Sequence, residues 1–367
     1  MRISYINLKQ EHKILKKQIL QAVSKVLDTA NFVLGDEVKI FEHNIAKYCE
    51  TKYALGLNSG TDALFLALKA LDIGPGDEVI TVPNSFVASA SCIVTAGATP
   101  VFVDVCDDMN IDTNLIEGKI TNKTKAILPV NLTGKICEMD RILSIAKKYK
   151  LSVIEDSAQA IGAIYKGKKA GSFGHINCFS LHPLKTLNAC GDGGFLTTND
   201  ESLYIKLSKL RNIGMKTRNE VQYWGYNSRL DSIQAAILNL KLKHLDKWIA
   251  SRRKIAAYYR NNLIDFVKVP TEMPYEKPAY HTFVIQIEKR DELQAYLLKN
   301  GIETKIHYPI SIHLQEAAKP LGNKRGDFPV AEKQADTILS LPVFQELTKK
   351  QQDYVISKVK EFVKNNY

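Results

Sequence analysis

One lysine in the sequence stands where an amine could react with a carbonyl. Lys185 lies in CFSLHPLKTLNACGDGG, residues 178–194, between a Ser-Leu-His-Pro turn and a glycine-rich loop, and the nearest opposite charge is Asp192. An amine held among apolar neighbours loses its charge more easily and becomes a nucleophile. The alternative is an ordinary solvated loop lysine, and the position alone does not decide between the two.

Two short stretches place polar side chains where a predicted strand ends or a predicted helix begins. In NSGTDAL, residues 58–64, Gly60 and Thr61 open a helix whose free N–H groups could bind a phosphate, although a plain N-cap has the same sequence. In VIEDSAQA, Asp156 ends an apolar strand and Gln159 follows three residues later, on the same side of a turn or helix start. A carboxylate in this position is equally compatible with a helix cap.

A phosphate site, a carboxylate, an amide and an amine together form the set that pyridoxal phosphate requires. Its phosphate takes helix N–H groups and hydroxyls such as that of Ser180, its ring nitrogen takes a carboxylate, and its aldehyde takes a lysine. Asn227, in GYNSRLD, has no partner nearby in sequence that explains its amide. A Rossmann dinucleotide site is the competing interpretation, but no GxGxxG motif follows a strand near the start of the chain.

The elements that must position these residues alternate along the chain. Apolar runs such as EVITVP and LSVIEDSAQ alternate with amphipathic stretches such as CEMDRILSIAKKYK. This alternation predicts an α/β fold with a mostly parallel, doubly wound sheet, whose ligands bind at the carboxyl ends of the strands. Helical periodicity from Leu230 to Trp248 predicts one long helix. Because the pattern changes after residue 250, we predict a cofactor-binding large domain at 1–250 and a smaller α+β domain at 251–367.

Composition and charge exclude several classes of protein. The 367 residues are 45% hydrophobic and 24% charged, as in ordinary globular chains. No apolar run is long enough to cross a membrane, and the N-terminus lacks a signal-peptide core, so we expect a cytoplasmic protein. The net charge of +11 is dispersed and no nucleic-acid motif is present, so we expect neither a nucleic-acid nor a membrane partner. Six cysteines without ligand spacing predict reduced thiols and no metal site.

Ordered motifs over nearly the whole chain resemble the DegT/DnrJ/EryC1 (sugar aminotransferase) family of fold-type I pyridoxal phosphate enzymes. The motifs are, in chain order, LNSGTDAL, IGPGDEVI, GATPVFVDV, VIEDSAQAIGA, GDGGF, GYNSRLDSIQAAIL, IHYPISIHLQ and GDFPVAE. The resemblance implies that Lys185 forms a Schiff base with the cofactor, that Asp156 pairs with the ring nitrogen, and that Gln159 touches the ring hydroxyl. Phe86, in NSFVAS, corresponds to the aromatic residue that stacks on the ring.

The resemblance also implies how the cofactor's phosphate is held. Gly60, Thr61 and Ser180 would bind it from within the chain. Asn227 matches the family's asparagine that reaches the phosphate of a neighbouring subunit. A homodimer with shared active sites follows from that match.

The implied reaction is a ping-pong transamination from L-glutamate to a keto carbon of a nucleotide-linked sugar. Within the family, GYNSRLD, HLDKW and IHYPISIHLQ favour amination at C3 of a 3-keto-6-deoxyhexose over amination at C4 of a 4-keto sugar. His307, Tyr308 and His313 of the last motif are candidates for contact with the sugar, and the alternative for a loop histidine is a structural role. The identity of the sugar, the nucleotide and the pathway stay open.

Three rival functions remain open, and several positions differ from the family's usual sequence. The rivals are a C4 aminotransferase, a dehydratase of the same family, which would carry histidine in place of Lys185, and a catalytically silent regulatory protein with the same fold. HPLKTLNAC replaces the family's more common Pro-Thr-Lys-Asn-Leu-Gly. Asn131, Ile213 and Val221 stand where family members often have histidine, at sites that flank the sugar pocket in relatives.

Overall fold

The computed structural model describes residues 1–367, which form eleven α-helices and fourteen strands. The helices are α1 Leu8–Thr29, α2 Asp36–Tyr48, α3 Gly60–Ala70, α4 Ala88–Ala96, α5 Met139–Tyr149, α6 Glu201–Leu210, α7 Ser232–Leu242, α8 Leu245–Leu263, α9 Arg290–Lys299, α10 Pro329–Thr337 and α11 Lys349–Asn366. The strands are β1 Tyr53–Leu57, β2 Glu78–Thr81, β3 Thr99–Phe102, β4 Thr124–Ile127, β5 Ser152–Asp156, β6 Ile164–Tyr165, β7 Lys168–Lys169, β8 Ile176–Ser180, β9 Gly194–Thr198, β10 Met215–Thr217, β11 Glu220–Val221, β12 Glu276–Lys277, β13 Phe283–Gln286 and β14 Ile338–Leu341.

Seven of the strands form the main sheet, in the order β1-β9-β8-β5-β4-β2-β3. Strands β3, β2, β4, β5 and β8 pair in parallel, whereas β9 is antiparallel to both of its neighbours. Six strands therefore run in one direction and only β9 runs in the other. The predicted α/β fold with a mostly parallel sheet is confirmed. Apolar side chains on both faces of the sheet are covered by helices, as such a sheet requires.

The GDGGF motif has a packing reason in this sheet. Gly194 begins β9, where it pairs with Leu57 on one side and Ser180 on the other. A Cβ atom at this position would lie 2.3 Å from the backbone carbonyl of Ser59, which is closer than any real Cβ contact. The glycine thus lets the start of β9 lie directly against the N-terminus of α3.

The predicted long helix from Leu230 to Trp248 is wrong. The structure contains two helices, α7 and α8, which are separated at Lys243 and His244. At the break, the N–H groups of these two residues donate three residues back, to Leu240 and Lys241, instead of four. This tighter turn interrupts the α-helix while leaving the apolar periodicity almost unchanged, which is why the sequence pattern did not reveal it.

The C-terminal part of the chain packs around a separate apolar cluster. That cluster includes Tyr259, Phe283 and Val355, and Ile3 joins it from the other end of the chain. The two strands β13 and β14 form a small antiparallel sheet within this part. A boundary at residue 250 lies inside α8, and the division into two domains stays a prediction. No helix of the chain is long and apolar enough to cross a membrane, and all six cysteines are unpaired.

Candidate active site

One cavity of about 440 Å³ opens at the carboxyl ends of the parallel strands. Of the residues predicted to bind a cofactor, all but Asn227 line it, namely Gly60, Thr61, Phe86, Asp156, Gln159, Ser180 and Lys185. His307 and Tyr308 reach the same cavity from the C-terminal part of the chain. The structure therefore brings together side chains that lie far apart in sequence.

Lys185 lies in the loop that connects β8 with β9. Its N–H donates to the carbonyl of His182 at 2.8 Å, and its carbonyl accepts from the Asn188 side chain at 3.1 Å. Asn188 is held in turn by a buried ion pair between Lys241 and Glu11, whose Nζ and Oε1 atoms are 2.9 Å apart. Because α1 and α7 supply these two charges, they fix the backbone that carries Lys185.

The amine of Lys185 makes no hydrogen bond or ion pair within the chain. Loss of surrounding water lowers the pKa of this amine to about 8, while the Asp156 carboxylate acts in the opposite direction. About a tenth of the amine is consequently uncharged at pH 7, far more than for an exposed lysine. This is the state in which an amine attacks a carbonyl.

Asp156 ends β5 and is almost completely buried. Its Oδ2 accepts from the Ser89 hydroxyl at 2.7 Å, and its Oδ1 accepts from the backbone N–H of Ala158 at 3.1 Å. Burial raises the pKa of the carboxyl group, whereas Ser89, Ala158 and the charge of Lys185 lower it. The fixed donors thus favour a carboxylate in a place that would otherwise favour the neutral acid.

The side chain of Gln159 is oriented by a backbone contact. Its Oε1 accepts from the N–H of Thr133 at 2.8 Å. Because the oxygen is used in this way, the amide nitrogen is left as a donor, and the Tyr308 hydroxyl is within its reach. Gln159 therefore offers the cavity an N–H group rather than an acceptor.

The N-terminus of α3 forms an anion site on one wall of the cavity. The Ser59 side chain caps the helix by accepting from the N–H of Asp62 at 3.0 Å, while the N–H groups of Gly60 and Thr61 have no partner inside the helix. A Cβ atom at Gly60 would lie 2.7 Å from Cβ of Ser180, so the glycine lets the helix end approach this hydroxyl.

The residues present fit pyridoxal phosphate. The helix end and Ser180 suit its phosphate, Asp156 suits its ring nitrogen, and the amine of Lys185 suits its aldehyde. Phe86 lies over the same cavity, with its ring centroid 5.7 Å from that of Tyr308. Lys185 is the only lysine or arginine of the chain that lines the cavity, so an anion there is bound chiefly by neutral donors and the helix dipole.

The C-terminal candidates divide into two groups. His307 and Tyr308 line the cavity: burial lowers the pKa of His307 to about 4 and raises that of Tyr308 to about 12, so both side chains are neutral near pH 7. His313 does not reach the cavity, and its prediction as a substrate residue is corrected. Its imidazole is buried, and its Nε2 lies 2.9 Å from a carboxylate oxygen of Glu332, which gives it a structural role.

Sequence reasoning missed several polar residues of the cavity, among them Ser85, Ser89 and His281. The two serines are four residues apart after β2, a spacing that brings their hydroxyls together, but their partner is 67 residues further along the chain. His281 lies two residues before β13, and its buried Nδ1 has no hydrogen-bond partner. Its place just before an apolar run was the available signal.

Four other singled-out positions lie outside the cavity. Asn131 is buried and donates to the side chains of Glu155 at 2.9 Å and Ser157 at 2.8 Å, so its amide is used within the chain. Ile213 and Val221 are exposed, as is Asn227, whose side chain makes no hydrogen bond within the chain.

Comparison with known proteins gives a consistent result. The family model described as the DegT/DnrJ/EryC1/StrS aminotransferase family matches residues 13–360. A pleiotropic regulatory protein of Geobacillus stearothermophilus is 45% identical over 100% of both chains. The dTDP-3-amino-3,6-dideoxy-alpha-D-galactopyranose transaminase of Aneurinibacillus thermoaerophilus is 43% identical, over 98% of this chain and 99% of the relative. The dTDP-3-amino-3,4,6-trideoxy-alpha-D-glucose transaminase of Streptomyces venezuelae is 40% identical, over 98% and 96%.

Solved structures agree with this result. The crystal structure of S. venezuelae DesV in complex with a ketimine intermediate superimposes with a TM-score of 0.97, at 40% identity, and the match covers 99% of this chain and 98% of that one. NtdA from Bacillus subtilis, with bound cofactor PMP, gives a TM-score of 0.89 at 32% identity over 95% and 82% of the two chains.

The lowered pKa of Lys185 predicts its reactivity in cofactor-free protein. Labelling with an amine-specific reagent across a pH series, read by mass spectrometry, should show a midpoint of about 8 for Lys185, against about 10.4 for exposed lysines. Replacing Asp156 with Asn should lower the midpoint further, because the attraction of the carboxylate is lost. A Lys185 midpoint equal to that of the exposed lysines, or a rise in the Asp156→Asn variant, would contradict this assignment.

Proposed function

Because the chain belongs to the DegT/DnrJ/EryC1/StrS aminotransferase family, we propose that it is a pyridoxal phosphate-dependent enzyme that aminates C3 of a nucleotide-linked keto sugar. The observation that carries the proposal is the presence of Lys185, Asp156 and Gln159 in one cavity with the anion site at the start of α3. The names of the Streptomyces and Aneurinibacillus relatives, which describe 3-amino sugars, support C3 rather than C4.

The chain's own residues have distinct tasks in this reaction. When bound, the cofactor supplies an electron sink for a carbanion next to its ring. With the cofactor bound, Asp156 would keep the ring nitrogen protonated, and Gln159 would donate its amide N–H to the ring hydroxyl. The amine of Lys185, with a pKa of about 8, is suited to take a proton from one carbon and return it to another near neutral pH.

Substrate recognition is proposed to involve the neutral side chains His307 and Tyr308. Both line the cavity, and neither carries charge near pH 7. Neutral imidazole and phenol side chains can each donate and accept, so both can hydrogen-bond to sugar hydroxyl groups. L-Glutamate as amino donor is supported by the family resemblance.

We also propose that two copies of the chain form a dimer with shared sites. Asn227 is exposed and lacks an internal partner, and the neighbouring segment exposes Ile213, Val221 and Trp224, the last with 95% of its surface accessible. Exposed large apolar side chains that lie close together indicate an interaction surface. A second copy of the chain would cover this segment. The Asn227 amide of each copy would then reach the phosphate in the cavity of the other copy, where neutral donors and the helix dipole bind it.

A regulatory role is the second candidate, because the Geobacillus relative bears a regulatory name. A protein that only regulates has no need of a nucleophilic amine. The desolvated Lys185 beside a buried carboxylate and an oriented amide therefore favours catalysis.

The function is tested with purified protein, cofactor, L-glutamate and a panel of 3-keto and 4-keto nucleotide sugars. We expect 3-amino products, identified by mass spectrometry and NMR, and a loss of several orders of magnitude in Lys185→Ala, whose nucleophile is absent. Lys147→Ala, on the exposed face of α5, is the matched control and should retain activity. Products aminated at C4 would establish the rival enzyme. Cofactor binding without turnover on any sugar would favour the regulatory role.

Subunit mixing tests the shared site. Loss of one hydrogen bond from Asn227 to a charged group is worth about 1.5–3 kcal/mol, so Asn227→Ala should weaken cofactor binding about ten- to a hundredfold. In a mixed dimer of Lys185→Ala and Asn227→Ala chains, one site is intact and the other carries both changes. At limiting cofactor, the mixture should exceed the mean activity of the two variants. If heterodimers form and no gain appears, each site is built within one chain.

A further inference from the structure

We propose that Ser89, supported by Ser85, is a positioning residue that holds Asp156 as a carboxylate during the reaction. The inference rests on the proposed function, in which Asp156 must stay anionic to keep the cofactor's ring nitrogen protonated. Neither serine was singled out by its sequence context, and both line the cavity beside the carboxylate.

A chain of two hydroxyl groups leads to the carboxylate. Ser89 lies in the first turns of α4 and is 1% exposed, and Ser85 precedes the helix and is 4% exposed. The Oγ atoms of the two serines are 2.8 Å apart, and the Ser89 hydroxyl donates to Oδ2 of Asp156 at 2.7 Å. The second distance is short, as expected for a hydroxyl that donates to an ionised carboxylate.

Counting protons fixes the direction of both hydrogen bonds. A serine hydroxyl has one proton, and an ionised carboxylate has none. The proton of Ser89 must therefore be directed to Asp156, and the contact between the serines must use the proton of Ser85. Both donors point toward the carboxylate, and each strengthens the other. If Asp156 were protonated, this arrangement would lose its charge-assisted bond.

The need for these donors follows from what happens to Lys185. Burial raises the pKa of Asp156, and three influences lower it. They are the hydroxyl of Ser89, the N–H of Ala158 and the charge of the Lys185 amine. Whenever the amine is uncharged, which its chemistry requires, that attraction disappears. Ser89 and Ala158 then remain as the donors that keep the carboxylate ionised, and Ser89 is the one whose donor is a side chain.

The test compares four variants in cofactor-free protein and in reconstituted protein. Ser89→Ala deletes the donor, Ser89→Thr keeps a hydroxyl, and Ser85→Ala removes only the support. Ser91→Ala is the matched control, because Ser91 lies on the same helix and its hydroxyl contacts a carbonyl of that helix. The measurements are the carboxyl pKa of Asp156, from carbon-13 NMR titration without cofactor, and the dissociation constant of pyridoxal phosphate, from its absorbance.

Ser89→Ala should raise the pKa of Asp156 by about one to two units and weaken cofactor binding about ten- to a hundredfold, with the greater loss at acidic pH. Ser85→Ala should raise the pKa of Asp156 and weaken cofactor binding as well, but by less. The test therefore does not depend on the folding of a single variant. Ser89→Thr and Ser91→Ala should resemble the unchanged protein.

Two results would overturn the inference. One is an Asp156 pKa in Ser85→Ala and in folded Ser89→Ala that equals the starting value. The other is an equal loss of cofactor affinity in Ser89→Ala and Ser91→Ala, which would indicate a general weakening of α4. Failure of the proposed function is distinguishable, because the titration of Asp156 needs neither substrate nor cofactor.

Discussion

A carboxylate and an amine of opposite charge are held with little access to water at the carboxyl edge of the main sheet. Each would be unfavourable alone, because the removal of a charge from water costs several kcal/mol unless a partner or fixed donors replace the water. Asp156 receives two hydrogen bonds and the attraction of Lys185, and Lys185 receives only the attraction of Asp156. The amine consequently gives up its charge more readily than that of an exposed lysine.

The pairing of the strands and two glycines bring Asp156, Lys185 and the anion site to the same edge of the sheet. Parallel pairing of β5 with β8 places Asp156 opposite Cys178, so that Ser180 and the Lys185 loop follow at the same edge. Gly60 and Gly194 then allow the end of α3 to lie against β8 and β9, which brings an anion site to the same cavity. The buried pair of Lys241 and Glu11 holds the loop from the opposite side.

The sequence indicated those site residues whose position depends only on the strand that they end or follow. Asp156, Gln159 and Lys185 follow apolar strands, and in a parallel sheet the ends of such strands meet at one edge. Contacts between distant segments were not visible in this way. Ser89 meets Asp156 although 67 residues separate them, His313 is buried with Glu332 against it, and the break between α7 and α8 depends on two backbone hydrogen bonds.

The central claim is that Lys185 is the amine that joins the cofactor's carbonyl, and reductive trapping tests it most directly. Protein reconstituted with pyridoxal phosphate is treated with borohydride, digested and mapped by mass spectrometry. The account predicts one reduced adduct, on the fragment that contains residues 178–194, at Lys185. An adduct at another lysine, or no stable adduct although the cofactor is bound, would contradict it.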